Sequence, residues 1–316
     1  MAGVTDLGMR RVAQQFGAAF TVSEMVAAPE LARGHVEHRL RAEGQGMLPH
    51  VVQIAGCRAD DLAEAARIAE ASGAAWVDIN MGCPSKRVTG GEAGSALMRD
   101  LPHALALIQA TVAAVRIPVT VKMRLGWDDA SRNAPELARQ AEAEGVAMVT
   151  VHGRTRCQFY KGRADWPAVR AVVDAVRIPV VINGDCAGAE TARQMLGVSG
   201  AAAVMVGRAA VGQPWLVGDI AHQLATGCPR LPVLASARAA AARAHYEWLL
   251  DAFGAEKGVR HARKHLAGYA THAVADLAVR DAWRQRLVTS ESPGAVLAAL
   301  DLMFAEMEAP RHANAA

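Results

Sequence analysis

Short apolar runs recur along the chain at intervals of about 30 residues and predict β-strands. Seven are present, at 20–25, 50–55, 76–81, 119–123, 148–152, 180–183 and 203–206. Between them lie Ala-rich stretches with apolar positions at helical spacing, such as 59–71 and 102–114. A helix precedes every strand: over 5–16, Thr5 or Asp6 caps it, Met9, Val12, Ala13 and Phe16 line one face, and Gly17 stops it. Alternating strand and helix predicts a parallel sheet covered by helices, either an open doubly wound sheet or a closed barrel.

Two features choose between these architectures. Val-Arg-Ile-Pro-Val at 115–119 recurs at 176–180, so Pro118 and Pro179 are 61 residues apart, two strand-helix units. Each proline stands where a strand begins and no ladder donor is needed. Polar residues also close strand after strand: Glu24, Gln53, Asn80, Lys122, Arg124, His152, Arg154, Asn183, Asp185 and Arg208. An open sheet gathers its ligands at one crevice, whereas a barrel collects them around the ring. The expected fold is an α/β (β/α)₈ TIM barrel lacking its first strand. After the Pro229 and Pro232 boundary only helices follow, at 235–253, 256–273, 276–287 and 293–307. The expected domains are therefore 1–233, the barrel, and 234–316, a small all-helical domain.

Composition narrows the class. At 316 residues and 52% hydrophobic content the chain can bury a full core. Its apolar runs fall well short of the roughly 18 residues a membrane span needs. The five cysteines show neither C-x-x-C pairs nor zinc spacing, and the first residues lack a secretory pattern. A cytoplasmic protein with reduced thiols, no metal site and no membrane partner is expected. The net charge of +3 does not by itself call for nucleic acid.

The chemistry gathers at Asn80-Met81-Gly82-Cys83-Pro84, where an apolar strand meets a turn. At the C-terminal end of a barrel strand a thiol faces the active site, although a free Cys also serves as a small buried hydrophobe. The Gly90-Gly91-Glu92-Ala93-Gly94-Ser95 run that follows lacks P-loop spacing and reads as a mobile lid or a turn into the next helix. Gly207-Arg208 and Asn183-Gly184-Asp185 lie where late barrel loops hold phosphate. Lys122 is a charge inside an apolar strand and needs a partner or a ligand, and His152 ends the next strand. Arg260, Arg263 and Lys264 fall on one helical face, as a phosphate-holding stripe or as a solvated surface.

Taken together these motifs resemble the tRNA-dihydrouridine synthases, most closely their bacterial B-type branch. The resemblance rests on Met1-Ala2-Gly3-Val4-Thr5-Asp6, Ile79 to Pro84 with Gly94 to Met98, Val121 to Arg124, His152 to Thr155, Ile182 to Asp185, Val206 to Ala209 and Ala262 to His265. It implies an FMN enzyme, recharged by NADPH, that reduces the 5,6 double bond of uridine in the tRNA D-loop. On that reading Met1, Ala2, Gln53, Lys122 and His152 surround the flavin ring and ribityl chain. Asn183, Gly184, Asp185, Gly207 and Arg208 serve its phosphate end. Cys83 protonates C5, Asn80 holds the uracil, and Arg260, Arg263 and Lys264 meet tRNA. A monomer is expected.

Two departures stand out. The family begins with a further strand ending in Ala-Pro-Met, and here the chain starts at that Met, so a start assigned too far downstream is expected. The family also carries a Trp beside the tail Tyr, where this chain has Gly268 before Tyr269, so local tail packing or an RNA contact should differ. Two other readings remain open: an FMN barrel acting on a small molecule, and a non-catalytic RNA-binding protein.

Overall fold

The computed structural model describes residue 1 and residues 3–308. Seven strands form one sheet: β1 (Val22–Ala27), β2 (Val51–Ala55), β3 (Trp76–Met81), β4 (Val119–Arg124), β5 (Met148–His152), β6 (Val180–Asn183) and β7 (Ala203–Met205). Every neighbouring pair is parallel, and the spatial order follows the chain from β1 to β7. A doubly wound sheet would reverse its order at one point, so this succession is the winding of a TIM-barrel-like fold. All seven expected strands are present, with β1 two residues later than its apolar pattern places it.

Strands β2 and β6 are buried along their whole length, as expected of parallel strands covered on both faces. Helix Ala59–Ala71 buries Leu62, Ala63, Ala65, Ala66 and Ala69 and carries Asp60 and Asp61 in its first turn, where the helix dipole favours acids. The repeated Val-Arg-Ile-Pro-Val segments share a structural cause. In the first, Glu70 accepts from the Arg116 and Ile117 backbone N–H groups at 2.8 and 3.2 Å. In the second, Glu142 accepts from Arg177 and Ile178 at 2.9 and 3.0 Å. Each loop into a strand is thus tied to a preceding helix by one carboxylate.

The edge strands are β1 and β7. The Gly3 N–H donates to the Glu24 carboxylate of β1, and the Met1 sulfur lies 3.6 Å from where a Gly207 Cβ would stand, just beyond β7. Gly3 therefore meets one edge strand and Met1 lies just past the end of the other.

The chain forms two compact units, Met1–Leu7 with Ala19–Ala209, and Gly8–Ala18 with Ala210–Ala316. This division differs from the expected break at 233/234. Most of helix Leu7–Gln15 and the whole of helix Leu216–Thr226 belong with the C-terminal helices. Gly8 brings the first helix against the rings of His245 and Trp248, and Phe16 meets Trp215 edge-on at 6.0 Å.

In the second unit helix Ala235–Ala273 leaves helical geometry at Gly254 (φ 75°, ψ 161°), where the sequence separates 235–253 from 256–273. Helices Leu277–Thr289 and Pro293–Glu308 follow. They enclose a core that includes Trp215, Tyr246, Leu266, Tyr269, Trp283 and Phe304. At Gly268 two backbones come close together: a Cβ on Gly212 would stand 2.0 Å from the Gly268 carbonyl carbon. Among the described residues no helix is long and apolar enough to cross a membrane.

Candidate active site

The pairing register arranges polar side chains in three rows on one face of the sheet, because residues two apart along a strand share a face. Gln53, Asp78 and Thr120 are paired neighbours in the lowest row. Asn80, Lys122 and Thr150 form the next, and Arg124, His152, Asn183 and Met205 the row nearest the C-terminal ends.

Cys83 is half-buried where β3 turns away. Asn80 Oδ1 accepts from the backbone N–H groups of Gly82 and Cys83 at 3.1 and 2.9 Å. The Cys83 carbonyl oxygen accepts from the Ser95 hydroxyl at 2.8 Å and from its backbone N–H at 3.1 Å. Arg124, 1% exposed, donates Nε–H to the Gly82 carbonyl at 2.7 Å. The Gly-rich run is the turn rather than the lid: Gly94, at φ 61°, lies so close that a Cβ there would stand 2.9 Å from the Cys83 oxygen.

Lys122 is half-buried and has no hydrogen-bond or ion-pair partner among the described residues. Burial, and then the neighbouring Arg124, lower its pKa to about 8. Burial also pushes His152 down to about 2, helped by the charges of Lys122, Arg124 and Arg154. The ring is therefore neutral at physiological pH. Arg154 Nη1 faces His152 Nε2 at 3.3 Å, and since a guanidinium only donates, Nε2 accepts.

At the end of β6, Asn183 donates to the Met205 carbonyl at 2.8 Å. Asp185 (φ 60°) accepts from buried Arg154 at 2.5 Å, from the Ala164 N–H at 2.9 Å and from Arg208 at 3.3 Å. Those charges and bonds lower its pKa against the opposing effect of burial, which is the largest single influence. Its side chain thus holds cations in place. Arg208 stays 59% exposed, with its guanidinium 4.9 Å from the centre of the Tyr160 ring. Arg124 approaches the same ring at 5.5 Å.

Of the expected site residues, Gln53, Asn80, Cys83, Lys122, His152, Asn183, Gly184, Asp185, Gly207, Arg208 and Met1 all belong to the sheet-bearing unit. Ala2 lies outside the described residues. The tail stripe is on helix Ala235–Ala273: Arg260 is exposed and ion-paired with Glu256, while Arg263 and Lys264 are half-buried. Pattern reading passed over Asp78, Thr120, Ser95 and Tyr160. An acid and a hydroxyl inside apolar strands were the available signals for the first two.

The family model described as Dihydrouridine synthase (Dus) matches residues 1–308. A "Probable tRNA-dihydrouridine synthase" of Rhodobacter capsulatus is 50% identical over 98% of this chain and 94% of its own. One of the same name from Rhizobium leguminosarum bv. phaseoli is 49% identical over 95% and 92%. The "tRNA-dihydrouridine synthase B" of Xanthomonas campestris pv. campestris is 42% identical over 100% and 95%. With a matching family model and relatives spanning nearly their full lengths, the chain belongs to the dihydrouridine synthase family.

Proposed function

We propose that this protein reduces the 5,6 double bond of a uridine in the tRNA D-loop, with FMN seated at the C-terminal ends of the strands and NADPH as reductant. The observation that carries the reading is Cys83, fixed by Asn80 and Ser95 in the same rim as the unpartnered Lys122. The donor set suits an anionic flavin nucleotide. Lys122 is a cation with no ion pair among the described residues, Arg208 offers an exposed guanidinium, and above Gly207 the Met1 sulfur is the only described atom within 4 Å of a Cβ position. Gln53, Lys122 and His152 would hold the ring system, and Asn183, Gly184, Asp185, Gly207 and Arg208 its phosphate end.

Bound FMN would supply the hydride that reaches C6 of the uracil. Negative charge then builds toward C5, and the Cys83 thiol gives its proton there. The thiolate left behind is attracted by the charges of Lys122 and Arg124. Asn80 would orient the uracil, which must leave any base stack at a cost of roughly a few kcal/mol. The helical unit, through Arg260, Arg263 and Lys264, would hold tRNA phosphates. Such an enzyme works in the cytoplasm.

Anaerobic FMN-loaded protein should bleach with NADPH and recover its colour on addition of unmodified tRNA, with dihydrouridine appearing in the RNA. Bleached protein whose spectrum tRNA leaves unchanged would overturn the proposal.

A further inference from the structure

Asp78 lies in β3 below Asn80, is 3% exposed, and has no part in the chemistry described so far. Both its oxygens are engaged. Oδ1 accepts from the Thr120 hydroxyl at 2.6 Å and Oδ2 from Gln53 Nε2 at 2.7 Å. An amide side chain donates from one end and accepts at the other, so committing its nitrogen decides where its oxygen points. With Nε2 turned to Asp78, Gln53 Oε1 faces Asn80 and accepts from its Nδ2 at 2.8 Å. The Asn80 nitrogen is committed in turn. Its Oδ1 is left for the backbone N–H groups of Gly82 and Cys83.

Donation thus runs in one direction from Cys83 through Asn80 and Gln53 to Asp78, which also accepts from Thr120. Its two ends agree, since an ionised carboxylate can only accept and a backbone N–H can only donate. If Gln53 turned over, Asn80 would have to follow, and an amide N–H would then face the N–H of Cys83. Every member but the corner itself is buried, so solvent offers no substitute partner.

We propose that Asp78 is a positioning residue: by accepting from Gln53 it sets the direction of both amides and so holds the backbone of Cys83. The geometry stands independently of any reaction. Only its consequence for turnover rests on the reading of Cys83 as proton donor. Burial raises the pKa of the Asp78 carboxyl group, while the bonds from Thr120 and Gln53, and then the charge of Lys122, paired in register with Asn80, oppose that rise and favour the charged form.

The test compares wild type, Asp78→Ala and Asp78→Asn by amide hydrogen exchange of the full chain and by single-turnover kinetics with NADPH and tRNA. Asp78→Ala should speed exchange at Gly82 and Cys83 by about tenfold. It should lower kcat for tRNA reduction by a similar factor, with KM for tRNA and the bleaching of flavin by NADPH retained. Asp78→Asn, whose amide oxygen can take the bond from Gln53, should keep the exchange rates within about threefold of wild type. Folded Asp78→Ala with wild-type exchange at both amides would overturn the proposal. So would loss of protection in Asp78→Asn, a reading available even if the alanine variant fails to fold. Wild-type protein that never reduces tRNA would remove the functional reading and leave the exchange result standing.

Discussion

The Ser95 hydroxyl and the Ser95 N–H both donate to the Cys83 carbonyl oxygen, at 2.8 and 3.1 Å. One residue of the Gly-rich turn therefore grips the corner that carries the thiol, while Asn80 grips it from the strand. The backbone that carries the thiol is held from two separate elements, which suits the proton-donor role proposed for it.

Replacement of Cys83 by Ala should remove proton delivery without disturbing flavin loading. tRNA reduction is expected to fall by about 10²- to 10⁴-fold while NADPH still bleaches the flavin. Single-turnover mixing separates the two half-reactions, and full tRNA reduction by Cys83→Ala would remove the acid role.

Ser95→Ala deletes one of the two bonds to the Cys83 carbonyl inside a fully buried site. A stability loss of about 1–2 kcal/mol is expected, with the backbone bond preserving the corner. Gly94→Ala should cost more. A Cβ there would meet the Cys83 oxygen and Val88 Cγ1, each at 2.9 Å, at a backbone φ of 61°. Urea denaturation of the two variants should rank them in that order.

His152 makes stability fall in acid. Its pKa is about 2 in the folded chain against an ordinary 6.5, so between those values the unfolded chain binds a proton the folded chain refuses. Stability from this group is complete above pH 6.5 and declines as pH drops, by about 2 kcal/mol at pH 5. Denaturation of apoprotein should show His152→Gln losing much less stability than wild type between pH 7 and 5.

Lys122 acts on the alkaline side. With a folded pKa of about 8 against an ordinary 10.5, the unfolded chain again binds more protons, so this group makes stability rise with pH between those values. Lys122→Met should flatten that rise. The same substitution should weaken FMN binding, measured by fluorescence titration.

In the helical unit, Gly212→Ala would place a Cβ 2.0 Å from the Gly268 carbonyl carbon. The two backbones must then part, and the variant is expected to lose about 3 kcal/mol or more, or to fail to fold. Gly227→Ala, at a similar backbone φ of 73° and with nothing among the described residues within 4 Å of its Cβ position, is the matched control.

Much of this protein was legible from residue order because its signals are local. Buried parallel strands show as apolar runs, prolines stand at strand starts, and Gly254 marks its own break. Cys83, Lys122 and His152 stood out because polar groups at strand ends or inside apolar strands call for a partner or a ligand. What strand pairing alone decided lies between elements. Asp78 gained its meaning when β2, β3 and β4 placed Gln53 and Thr120 against it from 25 residues before and 42 after. Ser95 became a clamp only when its turn folded back on Cys83, and the first helix joined the C-terminal unit only through packing, Gly8 against His245 and Trp248 and Phe16 against Trp215. Periodicity reports which face of an element is buried, whereas the partner on that face, and the direction of a hydrogen bond across it, follow from register and packing.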